Sequence, residues 1–387
     1  MRFNTKKLFL KDEIIDDAYI VIEDKKIKEF GKYEGDDYDA DIIMPGIFDI
    51  HSHGAMGYSA TTIDASELYG YTKAIAKDGV TSVLATTQEL DSLSLIAKAI
   101  ESDIVKGARI LGINAEGPFR NKKYMGASKG MIWPSPSIEY SKKMIDSAKG
   151  HIMYMSVSSE LEKMDEIIPY LVKNNIRVAG GHTDATYSEM IDGFKLGVTA
   201  ISHFGNAMRP FHQREGGALT ACLLNDAIYL EINADHVHLS KEVLALFFKT
   251  REMKNFILIS DSSECAGLDE GIYFARGKKR YVDRNGDIKT EDGTISGSGH
   301  PIIYDIKKLI LEDGYHPLDI INMATFNPCH YFNIKNKGSI KVDNDADIVL
   351  LNDSYEVLKT IVEGSIEYDI SDKEDLRNPK MQKLNEN

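Results

Sequence analysis

The chain has 387 residues, of which 43% are apolar and 27% are charged. This composition supports a sizeable core and excludes a globally disordered chain, and the length suits two domains or a large barrel. Lysine and arginine total 46 against 60 aspartate and glutamate, so the net charge of −14 argues against nucleic acid and anionic membranes as partners.

The N-terminal segment, MRFNTKKLFLKDE, carries an apolar piece too short for the core of a signal peptide. No later run approaches the roughly 18 apolar residues of a membrane span. The cysteines Cys222, Cys265 and Cys329 lie far apart and form no CxxC pair, so neither a disulfide framework nor a thiolate zinc site is indicated. We therefore expect a reducing, cytoplasmic location.

Apolar and polar residues alternate near the N-terminus, as in AYIVIEDKKIKEF, and this period of two predicts short antiparallel strands. A similar pattern returns near the C-terminus in GSIKVDNDADIVLLNDSYEVLKTIVEG. Residues 1–46 and 337–370 are therefore predicted to form one small β-sandwich domain built from both chain ends. The remaining segment, 371–387, is polar and is expected to be a loose tail.

Between these ends, strand-like apolar runs alternate with segments of helical periodicity such as ASELYGYTKAIAKDG. In chain order the runs are GIFDIHSH, TSVLATT, RILGINAEG, HIMYMSVSSE, IRVAGGH, VTAISH, AIYLEINADH and FILISD. These β-then-α units predict a parallel (β/α)8 TIM barrel over residues 47–336, because eight is the number of such units that closes. A doubly wound open sheet is the less favoured alternative.

Imidazole and carboxylate side chains stand at the carboxyl ends of these runs. They are His51 and His53 on the first run, Glu116 on the third, His182 on the fifth, His203 on the sixth and Asp261 on the eighth. In a barrel all these ends meet at one mouth, and residues two apart on a strand, such as His51 and His53, point to the same side. The pattern therefore predicts a metal-dependent active site at that mouth.

This ligand set suits zinc, iron, manganese or cobalt as divalent ions. The imidazoles and carboxylates exceed what one tetrahedral ion needs, so they can hold two ions bridged by Glu116, or one ion with spare ligands. A bound divalent ion lowers the pKa of its water toward ~7, and a carboxylate beside that water can pass its proton to a leaving group. We assign this proton transfer to Asp261.

Several segments, read in order, resemble the amidohydrolase superfamily and, within it, the family of N-acetylglucosamine-6-phosphate deacetylases. They are MPGIFDIHSHG, AEGPF, GHTDATY, SHFGNAMRPFHQREGG, NADHVH, SDSSECAG, DGTISGS and MATFNPCHYFNI followed by KGSIKVDNDADIVLL. The resemblance covers nearly the whole chain. It implies hydrolysis of the acetamido group of N-acetylglucosamine 6-phosphate, giving acetate and glucosamine 6-phosphate, by an enzyme that is typically a homodimer.

The resemblance also implies roles for single residues. The catalytic metal is held by Glu116, His182 and His203, a second metal in some members by the equivalents of His51 and His53, and Asp261 is the general base and acid. The sugar phosphate and hydroxyls are held at the positions of Asn206, Ala207, Arg214 and His238, with Arg214 expected to serve the site of a neighbouring subunit. Independently of the family, the planar guanidinium of Arg214 suits phosphate oxygens.

The chain departs from the family pattern around the expected sugar pocket. Ser128 stands where a His or Gln that faces the substrate carbonyl is usual, Gly205 replaces a bulky residue, His236 replaces a common glycine, and GSGH at 297–300 differs after GS. These changes leave the epimer of the sugar open, so a deacetylase of another amino-sugar phosphate, such as N-acetylgalactosamine 6-phosphate, is an alternative.

Two further alternatives differ more in chemistry. A cyclic-amide hydrolase or deaminase of the same superfamily is disfavoured, because HIMYMSVSSE ends without the lysine with which many cyclic-amide members bridge their metals. A weakly active sugar-phosphate binding protein is disfavoured by the intact set of Glu116, His182, His203 and Asp261.

Overall fold

The computed structural model describes residues 1–104 and 106–384. The strands are β1 Arg2–Phe9, β2 Ile14–Glu23, β3 Lys26–Lys32, β4 Ala40–Pro45, β5 Ile47–Ser52, β6 Gly54–Ala55, β7 Tyr58–Ser59, β8 Val80–Thr86, β9 Arg109–Phe119, β10 Ile152–Val157, β11 Arg177–Gly180, β12 Val198–Ile201, β13 Tyr229–Ile232, β14 Phe256–Leu258, β15 Gly271–Ala275, β16 Lys278–Val282, β17 Ile288–Lys289, β18 Ile348–Leu351, β19 Val357–Val362, β20 Ser365–Asp369 and β21 Lys383–Leu384. The helices are α1 Ala65–Ala76, α2 Leu90–Glu101, α3 Ile138–Ser147, α4 Met164–Lys173, α5 Tyr187–Leu196, α6 Gly217–Leu223, α7 Lys241–Thr250, α8 Ile302–Lys307, α9 Pro317–Ala324 and α10 Phe326–Tyr331. Over the described ranges, no helix combines the length and the apolar character needed to cross a bilayer.

Parallel strands β5 and β8–β14 lie side by side in chain order in one eight-stranded sheet. Just beyond β14 the chain meets the first strand again. The Asp261 N–H donates to the His51 carbonyl (2.8 Å), and the His53 N–H donates to the Ser262 carbonyl (2.9 Å). These bonds close the sheet at its carboxyl end, and helices alternate with the strands along the chain. The predicted (β/α)8 barrel is confirmed.

The burial of the barrel strands explains why they are visible in the sequence. Parallel strands covered by helices are buried on both faces and therefore form continuous apolar runs, and every residue of β8 is buried. The helices bury only one apolar stripe each, and polar residues stand at the positions where the helices begin. In α5, for example, the side chains and backbones of Thr186 and Glu189 form a reciprocal capping box. Each of the eight predicted runs overlaps one barrel strand.

The two chain ends build a second sheet of seven strands in the order β20-β19-β18-β4-β1-β2-β3. Strand β4 pairs parallel with β1 and antiparallel with β18, so backbone hydrogen bonds join the first and last parts of the chain. This sheet has its own apolar cluster, which includes Leu8 and Leu350. The predicted sheet domain built from both ends is confirmed. We propose limits of 1–46 plus 337–370 for this domain and 47–336 for the barrel.

A smaller sheet, in the order β17-β16-β15-β21, follows the last barrel strand, and the sequence pattern does not predict it. Its strand β21 belongs to the segment 371–387. The sequence predicts a loose tail there, but the described part of this segment packs on the rest of the protein. Asn378 is buried, its N–H donates to the Met56 carbonyl (2.7 Å), and its Nδ2 donates to the Gly57 carbonyl (3.0 Å). Because hydrogen bonds can satisfy polar groups without an apolar pattern, composition does not reveal such docking. Residues 385–387 lie outside the described part of the chain.

Candidate active site

The carboxyl ends of the barrel strands enclose a cavity of about 320 Å³, within the roughly 300–1,000 Å³ of small-molecule sites. It is lined by the predicted metal ligands His53, Glu116, His182 and His203 and by the predicted catalytic residue Asp261. The remaining predicted ligand, His51, is fully buried beside them, with its ring centroid 5.4 Å from that of His53. The five predicted metal ligands and the predicted catalytic residue therefore meet at one rim of the barrel.

Glu116, His182 and His203 form the first of two ligand sets. Glu116 Oε1 lies 2.8 Å from His182 Nε2 and 3.2 Å from His203 Nε2, and the two nitrogens are 3.2 Å apart. Ligands about 2.0–2.1 Å from a tetrahedral ion lie roughly 3.3 Å from one another, so this triangle fits one metal ion.

The imidazole of His182 is prepared for metal binding by its surroundings. Its Nδ1 donates to the Tyr124 carbonyl (2.7 Å), so in the neutral ring Nε2 carries the lone pair. Burial and the nearby charge of Arg120 lower the pKa of His182 to about 4. The ring is therefore neutral at pH 7, which is the form that binds metal ions.

His51, His53 and Asp261 form the second ligand set. Asp261 Oδ1 lies 3.7 Å from His51 Nε2 and 3.4 Å from His53 Nε2. His51 Nε2 is buried without a hydrogen-bond partner in the described ranges, while His51 Nδ1 lies 2.8 Å from the fully buried Glu231. Burial by itself lowers the pKa of His51, but the negative charges of Glu231 and Asp261 outweigh burial and raise it to about 10. The free protein therefore holds a proton on this imidazole at pH 7, and a divalent cation bound at Nε2 would displace that proton in the same negative surroundings.

Glu116 joins the two ligand sets. Its Oε1 faces His182 and His203, whereas its Oε2 lies 3.6 Å from His53 Nε2. Burial by itself raises the pKa of Glu116, but Arg120 and the adjacent imidazoles hold that pKa well below its usual value. An ionised carboxylate with one oxygen toward each set has the geometry to bridge two ions, and the first set alone suffices for one ion.

Several ligand residues adopt backbone conformations that residues other than glycine rarely occupy. The φ angle is +49° at His182, +31° at His203 and +45° at Asp261. Such conformations cost on the order of 1–3 kcal/mol each and persist only where the surrounding structure holds them, which is often at functional sites. The observed strain lies at the ends of three different barrel strands and supports a functional role for this rim.

Asp261 is placed to carry a proton. Its side chain lines the cavity and is 13% exposed. Burial by itself raises the pKa of Asp261, but the hydrogen bond from His53 and the nearby charge of His51 outweigh burial and hold the pKa below its usual value. The carboxylate is therefore ionised at neutral pH and can accept a proton from a water molecule in the cavity.

Most of the predicted substrate residues line the same cavity: Ser128, Asn206, Ala207 and His238. Asn206 Nδ2 is buried and has no hydrogen-bond partner among residues 1–104 and 106–384, so it is available to a ligand. Arg214 is exposed on the loop after β12 and lies outside the lining of its own chain's cavity. The structure therefore places Ser128, Asn206, Ala207 and His238 together in the cavity lining and places Arg214 outside it.

Two departures from the family pattern lie outside the cavity lining. Gly205 has a φ of +91°, which disfavours any side chain, and a Cβ there would lie 2.8 Å from Leu239 Cδ2. His236 has a φ of +63°, a conformation that glycine favours, and its Nε2 lies 3.0 Å from Asp313 Oδ2. These two changes therefore affect the loops around the site and do not line the cavity itself.

His238 is oriented by a carboxylate that the sequence analysis misses. Asp235 Oδ2 lies 2.7 Å from His238 Nδ1 and accepts a hydrogen bond from Ser298 Oγ (3.1 Å). Burial by itself raises the pKa of Asp235, but the hydrogen bond with His238 lowers it to about 2. With Nδ1 engaged, Nε2 of His238 is the nitrogen available to a ligand. The Asp-x-x-His spacing in NADHVH is the local signal that could have indicated this pair.

Arg120, which the sequence analysis also misses, is a buried cation in the cavity wall. Its Nη2 donates to Glu116 Oε2 (2.6 Å) and to the Glu116 carbonyl (3.0 Å), its Nε donates to the Gly117 carbonyl (2.9 Å), and its Nη1 donates to Ser128 Oγ (3.2 Å). The guanidinium also lies over the ring of Trp133, 4.5 Å from the centroid. Because a guanidinium has five N–H donors, one N–H of Nη1 is left for a ligand.

Comparison with known proteins places this site in a family. A family model described as the amidohydrolase family matches residues 42–366. The chain belongs to the amidohydrolase family. The N-acetylglucosamine-6-phosphate deacetylase of Bacillus subtilis (strain 168) is 34% identical to this amidohydrolase over 378 residues, which are 92% of this chain and 94% of that protein. The N-acetylgalactosamine-6-phosphate deacetylase of Escherichia coli O157:H7 is 25% identical over 334 residues, which are 85% and 88% of the two chains.

Solved structures agree with this assignment. The N-acetylglucosamine-6-phosphate deacetylase of Thermotoga maritima superposes with a TM-score of 0.85 and 28% identity, covering 95% of this amidohydrolase and 100% of that chain. The family resemblance found in the sequence is thereby confirmed. Amidohydrolases are metal-dependent hydrolases, and the two ligand sets are the candidate metal-binding groups of this one.

Replacing Glu231 by Gln should weaken metal binding to this amidohydrolase about 10–100-fold, the usual effect of losing an outer-shell partner. Glu231 fixes His51 and also accepts the His203 N–H (3.0 Å), so the change removes a negative charge that serves both ligand sets. Metal affinity is measured by competition with a chelator, followed by elemental analysis of the protein. The exposed Glu139→Gln variant is the matched control. Equal affinity in wild type and Glu231→Gln would contradict the role assigned to Glu231.

Proposed function

We propose that this amidohydrolase removes the N-acetyl group from N-acetylglucosamine 6-phosphate, giving glucosamine 6-phosphate and acetate. The observation that carries the proposal is the meeting of Glu116, His182, His203 and Asp261 in one cavity whose wall also carries cationic side chains. The names of the relatives from Bacillus subtilis and Thermotoga maritima support the same reaction and substrate.

The proposed cofactor is a divalent metal, zinc, iron, manganese or cobalt, because nitrogen and oxygen ligands in this mixture suit those ions. Glu116, His182 and His203 would hold one ion, and His51, His53 and Asp261 offer ligands for another. When bound, the metal supplies an acidic water and polarises the substrate carbonyl. The remaining roles in the reaction fall to side chains of the protein.

Asp261 acts as general base and then as general acid in the proposed reaction. It takes a proton from the attacking water while the new C–O bond forms, and it delivers that proton to the sugar nitrogen as the C–N bond breaks. The ionised state of the Asp261 carboxylate supports its role as the base. Acetate and the free amine are the products.

Ser128 and Arg120 are the proposed donors to the carbonyl oxygen of the acetamido group. Ser128 Oγ accepts a hydrogen bond from Arg120 Nη1 (3.2 Å), so its own O–H is free to donate toward the cavity. Arg120 offers its remaining Nη1 N–H at the same place. One such donor contributes about 10²–10³ in rate. In this proposal the pair replaces the longer His or Gln side chain that the family resemblance leads us to expect at Ser128.

The proposed sugar contacts come from Asn206, Ala207 and His238. The buried Nδ2 of Asn206 and the Nε2 of His238 are polar groups able to bind hydroxyl or phosphate oxygens. The cytoplasm remains the predicted location, in agreement with a substrate whose phosphate dianion does not cross a bilayer unaided.

Acetate release from a small sugar panel tests the proposed function. The panel contains the 6-phosphates of N-acetylglucosamine and N-acetylgalactosamine and the two free sugars, assayed with and without a chelator. We expect the highest kcat/KM for N-acetylglucosamine 6-phosphate, loss of activity on chelation, and recovery on adding a divalent metal. A preference for the galactose epimer, which the Escherichia coli relative acts on by its name, would favour that substrate instead. No acetate from any sugar with the metal-replete protein would overturn the proposal.

The Asp261→Asn variant should lower kcat about 10²–10⁴-fold, because an amide cannot accept the proton that the carboxylate moves. Turnover is measured at saturating N-acetylglucosamine 6-phosphate, and metal content is determined on the same samples. The expected result is a large loss of turnover with the metal of the first ligand set retained. Normal turnover at full metal content would remove Asp261 from the mechanism.

Arg214 is proposed to bind the substrate phosphate in the site of a neighbouring subunit of a homodimer. Its exposed position outside its own cavity supports this arrangement. The Arg214→Ala variant should therefore raise the KM for phosphorylated sugar about 10–100-fold, since a charged hydrogen bond contributes roughly 1.5–3 kcal/mol.

Mixed dimers separate this arrangement from a role in the same chain. In a dimer of one Arg214→Ala chain and one Asp261→Asn chain, the first chain keeps Asp261 and receives Arg214 from the second. One normal site per dimer, with the KM of the wild type, is the expected result. A mixed dimer in which every active site shows the raised KM would place Arg214 in its own chain's site.

A further inference from the structure

The interior of the barrel holds polar side chains that belong to neither ligand set. Tyr154 lies on β10, Ser202 directly follows β12, and Glu231 lies on β13. All three residues are fully buried, and none of them lines the active-site cavity. They therefore act on the active site only through other residues.

Glu231 is a buried carboxylate whose two oxygens have different surroundings. Its Oε2 accepts the Nδ1–H of His51 (2.8 Å) and the backbone N–H of His203 (3.0 Å). Its Oε1 has no hydrogen-bond partner among residues 1–104 and 106–384. Because a buried charged oxygen without a donor is unfavourable, the fold is expected to supply a donor beside Oε1.

The hydroxyl of Tyr154 is a donor of the right kind in the right place. Burial and the negative charge of Glu231 raise the pKa of Tyr154 well above its usual value, so the hydroxyl keeps its proton and lies within reach of that charge. The same pKa responds to Ser202, whose hydroxyl is therefore close to the phenol. In the described ranges, the hydroxyls of Tyr154 and Ser202 have no hydrogen-bond partner of their own. Buried groups of this kind normally pair, and an ionised acceptor gives the stronger bond.

Aromatic packing fixes the ring that carries this hydroxyl. Tyr331, at the end of α10, and the next residue, Phe332, both contact the Tyr154 ring edge-on, with centroids 6.1 Å and 5.6 Å away. The Tyr331 hydroxyl already pairs with Thr199 Oγ1 (2.8 Å), so it does not compete for Glu231. A ring held on two sides directs its hydroxyl without losing further freedom when the hydroxyl binds.

We propose that Ser202, Tyr154 and Glu231 form a hydrogen-bond chain that positions His51 for a metal ion. Ser202 donates to the Tyr154 oxygen, and Tyr154 donates to Glu231 Oε1. Glu231 Oε2 in turn accepts the Nδ1–H of His51, which leaves Nε2 as the metal-binding nitrogen. Each bond in such a chain polarises the next, so the outer hydroxyls make His51 a better ligand and fix its ring. Tyr154 and Ser202 are thus positioning residues.

The Tyr154→Phe variant tests the chain, because it removes the hydroxyl and keeps the ring. It should weaken metal binding about tenfold, the lower end of the effect of losing an outer-shell partner. Affinity is measured by competition with a chelator. The visible spectrum of the cobalt-loaded protein, which reports ligand geometry, should change as well. The matched control, Tyr331→Phe, removes the hydroxyl of a neighbouring buried ring and should leave both measurements as in the wild type.

A double variant separates positioning from a general loss of stability. If Tyr154 acts through Glu231, adding Tyr154→Phe to Glu231→Gln should weaken metal binding by less than about twofold further. Losses that multiply in full would overturn the chain, and so would equal affinity in Tyr154→Phe, Tyr331→Phe and wild type. If Tyr154→Phe does not fold, Ser202→Ala decides: weaker metal binding than in the control supports the chain, and unchanged binding overturns it.

The inference rests on His51 as a proposed metal ligand and not on the identity of the sugar. Metal affinity and acetate release are therefore measured on the same samples. Metal binding that depends on Tyr154 in a protein that releases no acetate would support the chain while refuting the deacetylase function. Acetate release by the wild type, with unchanged metal affinity in Tyr154→Phe, would overturn the chain and leave the deacetylase function standing.

Discussion

The active site depends on one buried carboxylate. Glu116 lies at the meeting point of the two ligand sets, with one oxygen near His182 and His203 and the other near His53 and Arg120. An unpaired carboxylate at this depth would be strongly unfavourable, so its burial requires nearby positive charge and hydrogen-bond donors. The residues around Glu116 are therefore coupled, and a change in any of them alters the charge balance of all the others.

The closure of the barrel is what gives this carboxylate its neighbours. The backbone hydrogen bond from Asp261 to His51 joins the last strand to the first, and the side chains of the same two residues belong to the second ligand set. The step that completes the sheet thus also assembles half of the site. The left-handed backbone at His182, His203 and Asp261 shows that the strand ends are held in this arrangement against local preference.

Local charge and net charge have opposite signs in this protein. The chain as a whole carries −14, but the cavity wall carries Arg120, Arg276, Lys278 and Arg280. The net charge governs long-range encounters with polyanions such as nucleic acid, whereas a small anionic ligand responds to the charges that face it within a few ångströms. An acidic protein can for this reason have a cavity suited to a phosphorylated sugar.

The barrel and the residues of the candidate metal site could be predicted from the sequence because their signals are local. Buried parallel strands form continuous apolar runs, and residues such as His182 and His203 mark where those runs end. Gly205 and His236 are visible in the sequence as departures from the family pattern, but the cavity lining of the folded chain is what places both residues outside the cavity.

Other parts of the site could not be predicted in this way. No distinctive sequence pattern surrounds Arg120, Glu231 or Arg280. Only folding brings each of these residues to its hydrogen-bond partners or to the cavity. The same holds for Asn378, whose polar segment docks through hydrogen bonds to distant carbonyls. The sequence by itself determined the strand order, the fold class and the candidate metal ligands, because short-range periodicity and strand ends encode them. Only the tertiary structure decided which charges face the ligand, because those contacts join residues that are remote along the chain.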